Sequence, residues 1–129
     1  MDCTQISLLT AAVLHILFVS GEMLPWDSPF ILKKVMAKKA VSFSEDQLKL
    51  VATIVHNAGI YNLILVAGFL WSAFPDAFGN LLEPNGVKAI RCFFLTGAVV
   101  AGVFGLTLSP MTVLQAIIGI VGLCFVWSA

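Results

Sequence analysis

His15-Ile-Leu-Phe-Val-Ser-Gly-Glu-Met-Leu-Pro-Trp26 sets an imidazole and a carboxylate inside an apolar run that begins near Ile6 and ends at Leu24. A run of that length covers the ~20 residues a helix needs to cross a bilayer. Pro25 stops it, and Trp26 just beyond suits the headgroup level. On a helix, His15 and Glu22 stand almost two turns apart, on one face and roughly 10 Å from each other along the axis. Both are costly in lipid unless they face protein or water, which makes them functional-site candidates.

The rest of the chain agrees with a membrane setting. Of its 129 residues, 60% are hydrophobic and 11% charged, against about 25% charged in soluble domains. Seven basic and seven acidic side chains cancel, so nothing favours nucleic acid or an acidic partner. Met1-Asp-Cys-Thr-Gln5 lacks the basic start of a signal peptide, so the first apolar run is expected to be retained. Three further spans follow, over about 48–74, 87–108 and 111–127. The expected fold is an all-α integral membrane four-helix bundle, a single transmembrane domain over 1–129 with antiparallel neighbours.

Between the first two spans, Phe30 to Ala40 places Ile31, Leu32, Val35 and Met36 on one face and lysines on the other. That pattern predicts a short interfacial amphipathic helix. Ser44-Glu-Asp-Gln47 reads as a helix start, with a serine cap and acids in the first turn. Pro84-Asn-Gly86 reads as the strongest break in the loop before the third span. The four lysines of the first loop favour that loop in the cytoplasm and both termini outside, and the expected location is an inner membrane. Cys3, Cys92 and Cys124 have no metal or redox spacing and read as small packing residues. Gly97, Ala101 and Gly105 recur every four residues, a spacing that lets helices approach closely, within the bundle or in a homodimer.

Polar side chains gather in the second span, where His56-Asn-Ala-Gly-Ile-Tyr-Asn62 carries Asn57 and Tyr61 four apart on one face. Asn57 and Tyr61 are expected to point inward, and Asn62, about 100° round from Tyr61, to lie at a helix contact. By the rise per residue, His15, Glu22, Asn57, Tyr61 and Gln115 of the fourth span fall in one half of the bilayer. They are expected to converge on a cavity. An acid and an imidazole in apolar surroundings approach each other in proton affinity and can serve as general acid and base. Glu22 is the expected acid and His15 the base or relay. Asn57, Tyr61, Asn62, Gln115, Trp26 and Phe18 are the expected substrate contacts. A metal site from His15, Glu22 and His56 is disfavoured, because ligand distances of about 2 Å do not bridge two turns of one helix. No cofactor is implied.

The pattern His15-x6-Glu22-Met23-x2-Trp26, followed by Asn57-x-Gly59-Ile60-Tyr61-Asn62, resembles the small bacterial membrane proteins catalogued as domain of unknown function 1304. Val100-Ala-Gly-Val-Phe-Gly105 and Leu114-Gln115 fall where that family has its glycine-rich third helix and a glutamine in the fourth. The resemblance covers about residues 10 to 125. It implies a four-helix membrane protein with His15, Glu22, Asn57, Tyr61, Asn62 and Gln115 as signature positions, and implies no activity. Ala58 departs from it, standing where a second amide is expected, and His56 is not a family position. From the residues themselves, the leading expectation is a membrane-embedded enzyme that isomerises or cyclises a lipophilic small molecule by proton transfer. A proton-coupled solute carrier acting as a dimer, and an accessory subunit of a larger membrane complex, are the alternatives.

Overall fold

The computed structural model describes all residues except 29, 32, 33, 35–42, 80, 108, 109 and 129. Among the described residues it is all helical: α1 (Cys3–Glu22), α2 (Glu45–Ala73), α3 (Pro84–Gly105) and α4 (Thr112–Ser128), with a 3-10 turn at Pro75–Phe78. The first three helices are long and apolar enough to cross a membrane, and α4 is a shorter apolar helix of 17 residues. At 29 residues, α2 runs for roughly 43 Å, well beyond the ~30 Å hydrocarbon core. The chain is an integral membrane protein. Its outer surface suits lipid: Ile54, Ile64, Phe93, Phe104 and Trp127 are all exposed in the isolated chain.

Helix ends follow local chemistry. Asp2 and Gln5 form a reciprocal capping box: the Asp2 backbone N–H donates to Gln5 Oε1 at 2.8 Å, and the Gln5 N–H to Asp2 Oδ1 at 2.6 Å. This starts α1 three residues before the Ile6 that hydrophobicity alone suggests. Ser44 and Gln47 repeat the device, as the sequence predicts. Pro84 does not break the chain but opens α3, because a proline at the first helical position gives up an N–H that has no partner there anyway. The amphipathic helix expected over 30–40 lies mostly outside the described residues. Phe30, Ile31 and Lys34 are helical, with Lys34 Nζ 5.9 Å from the centre of the Phe30 ring.

The chain divides into two compact units, Met1–His15 with Ile64–Ala129, and Ile16–Leu63. In the first, the start of α1, the end of α2, α3 and α4 pack around Leu8, Ala11, Ala12, Val66, Phe69, Leu95, Ala98 and Val126. Glycines set the closeness of α3 and α4: a Cβ on Gly102 would overlap the backbone of Ala116, and one on Gly119 would lie 2.7 Å from the Leu95 carbonyl. The last carbonyls of α2, which lack helical partners, are taken by side chains. Gln5 Nε2 donates to Ala73 O at 3.0 Å and Arg91 Nε to Ser72 O at 3.1 Å. In the second unit the end of α1 meets the first half of α2, with Ala52 and Gly59 buried.

Candidate functional site

His15 is fully buried in the first unit. Its Nδ1 lies 2.8 Å from the Ala11 carbonyl. A carbonyl only accepts, so Nδ1 carries the proton and Nε2 presents its lone pair. Gln115, also buried on α4, approaches that lone pair with its side-chain N–H at 3.0 Å. The Phe69 ring covers the imidazole, with centroids 5.0 Å apart. Both ring nitrogens of His15 are thus engaged inside a packed core.

Glu22 belongs to the second unit. Half-buried at the last turn of α1, it accepts a hydrogen bond from Asn62 Nδ2 on Oε2 at 2.7 Å. Gly59 stands one turn before Asn62 on the same face of α2, and a Cβ there would lie 3.2 Å from the Glu22 Cβ and 2.8 Å from the Met23 Cε. Glycine at 59 therefore lets α1 come close enough for the carboxylate to reach the amide. Just beyond the helix, the chain is held by two aromatic donors: Trp26 Nε1 to Gly21 O at 3.1 Å, and His56 Nε2 to Leu24 O at 2.9 Å. That gives His56 a structural task. Among the described residues, no three His, Cys, Asp or Glu side chains gather as a metal would need.

His15 and Glu22 fall in different units, each with its own amide partner. One expectation changes. Asn57 and Tyr61 do not point inward: both are exposed, Tyr61 to 62%. The reason is rotational. Ala52, Gly59, Val66 and Ala73 are buried at seven-residue intervals, and Asn62 lies beside that seam, which turns Tyr61 away by about 100°. Phe18 and Trp26 are half-buried. The Phe69 cover on His15 carried no sequence signal, since nothing distinguishes that phenylalanine from its neighbours before the helices are packed.

A family model described as a protein of unknown function, DUF1304, matches residues 9–127. The chain belongs to the DUF1304 family. No curated protein and no solved structure matches it. Four of the six positions that mark the resemblance to DUF1304 are those paired here: His15 with Gln115, and Glu22 with Asn62.

Proposed function

We propose that the chain is a membrane-embedded enzyme that moves protons on a lipophilic small molecule, an isomerisation or cyclisation without net redox change, and that Glu22 is its proton-exchanging group. One observation carries this reading. Glu22 is a half-buried carboxyl at the end of an apolar span, and its partner among the described residues is a neutral amide rather than a cation. Ionisable groups so placed are functional candidates. Asn62 holds Oε2, so Oε1 is the atom that gives a proton to the substrate at one carbon or oxygen and, as carboxylate, removes one from another position. The apolar flanks Ile60 and Leu63, both exposed, favour a substrate that partitions into lipid. His15 becomes a positioning residue that ties α1 to α4. The lysines of the first loop support an orientation with that loop in the cytoplasm and both termini outside.

The test uses the mass balance of the reaction. Lipid extracts of cells expressing the wild type and Glu22→Gln are compared by chromatography with mass spectrometry. An isomerase or cyclase gives a compound of unchanged mass and altered retention, present with the wild type and lost with the variant. Identical profiles from two equally folded, equally abundant proteins would end the proposal.

A second reading, a carrier or accessory subunit working in an assembly, draws on an outward groove of about 780 Å3 along α3, where Gly97 and Ala101 lie between Phe93 and Phe104. Gly105 does not join it, being packed on Thr112 of α4. Steps of four residues advance about 40° on a helix, so the three small residues expected to form one dimer face diverge. A monodisperse monomer in nanodiscs would count against this reading.

A further inference from the structure

We infer that a cleft in the first unit, between the starts of α1 and α3 and the end of α4, binds the phosphate of an anionic lipid headgroup. The inference is independent of any chemistry at Glu22. The cleft holds about 480 Å3; Asp2, Lys88, Arg91 and Ser128 supply polar groups, and Val87 and Phe125 supply apolar wall. It opens where the apolar spans of this unit end, the depth at which phospholipid phosphates lie.

Arg91 carries the argument. Its side chain is only 18% exposed, yet among the described residues its bonding is incomplete. Nε donates to the Ser72 carbonyl. The nearest anion, Asp2 Oδ2, is 3.6 Å from Nη1, an ion pair without a hydrogen bond. That carboxylate is already engaged, since its Oδ1 accepts the Gln5 N–H in the α1 cap. Asp2 is also 56% exposed, where water weakens its attraction. A guanidinium has five N–H donors in a planar fork, a geometry that matches phosphate oxygens.

Lys88 stands three residues before Arg91 on the same face of α3, and its Nζ lies 4.8 Å from the centre of the Trp127 ring. A cation over an indole keeps its charge directed at the cleft rim, and among the described residues no carboxylate pairs with it. Among the described lining residues, two cations stand against one committed acid, an excess of positive charge. Basic pockets between membrane helices favour anionic headgroups, and Trp127 suits the same interfacial level.

The experiment puts the full chain into nanodiscs of phosphatidylcholine with phosphatidylglycerol and counts retained lipids by native mass spectrometry. The wild type should retain phosphatidylglycerol preferentially. Lys88→Ala and Arg91→Gln should each lower the retained ratio of anionic to zwitterionic lipid about fivefold. Asp2→Asn, which keeps a good helix cap, should raise it. Helicity and elution profile confirm the fold. If Arg91→Gln fails to fold, Lys88→Ala and Asp2→Asn decide. Equal retention of the two lipids by the wild type, or a ratio unmoved by those two variants, overturns the inference. So does binding of inorganic phosphate in discs of phosphatidylcholine alone without any preference for phosphatidylglycerol, which would assign the cleft to a free anion.

Discussion

Gln115 and His15, 100 positions apart in the chain, meet in the buried core with the amide nitrogen 3.0 Å from Nε2. The contact joins the first and last helices and selects one tautomer of the ring. Replacing Gln115 with Leu keeps the bulk but removes this donor from a buried acceptor. The expected cost is about 1–3 kcal/mol of stability, read as an earlier midpoint when the protein in mild detergent is titrated with a denaturing one. An unchanged midpoint would mean that the pair contributes no net stability.

Asn62 and Glu22 form the other pair, and their coupling is separable from the folding of α2. Asn62→Ala should destabilise by about 1.5–3 kcal/mol, the range for hydrogen bonds to charged groups. In a double-mutant cycle with Glu22→Gln, the combined loss should fall short of the sum of the two single losses. Strict additivity in that cycle would show that the 2.7 Å contact carries no interaction energy.

Two glycines of α3, five residues apart, should respond in opposite ways. Gly102→Val drives a side chain into the Ala116 backbone, where nothing flexible can yield, and should cost about 1–3 kcal/mol or more. Gly97 has open space where its Cβ would stand, so Gly97→Val should leave the monomer's stability unchanged. Thermal unfolding of both variants in one detergent makes the comparison. Equal destabilisation would contradict the packing of α3 on α4.

The cap at the start of α2 should act locally. Ser44→Ala removes the hydroxyl that accepts the Gln47 N–H, at about 1 kcal/mol. Hydrogen exchange should quicken over residues 45–50 and stay unaltered near Phe69. Acceleration spread along all of α2 would mean that the helix frays as one unit.

The helices were legible because their signals are local. Apolar runs long enough to span, Ser44 with Gln47, and Pro25 each act within a few residues. Asp2 was missed because its cap precedes the apolar run, and Pro84 because a proline ends one segment as readily as it opens the next. The site was legible only in its residue types. Which face of α2 turns inward depends on the seam through Ala52, Gly59, Val66 and Ala73, whose small side chains look unremarkable until another helix lies on them. Asn62, rather than Asn57 or Tyr61, therefore met the carboxylate. The partners of His15 and Glu22, Gln115 and Asn62, are likewise on other helices, which spacing along α1 does not encode.

The bond between the first and last helices also sets a schedule for biogenesis. A ribosome adding about 5–20 residues per second delivers Gln115 about 5–20 seconds after His15. α1 therefore makes its contact with α4 only after Gln115 has emerged, and a ribosome that stalls before α4 leaves behind a chain in which that contact is missing, a natural mark for quality-control proteases.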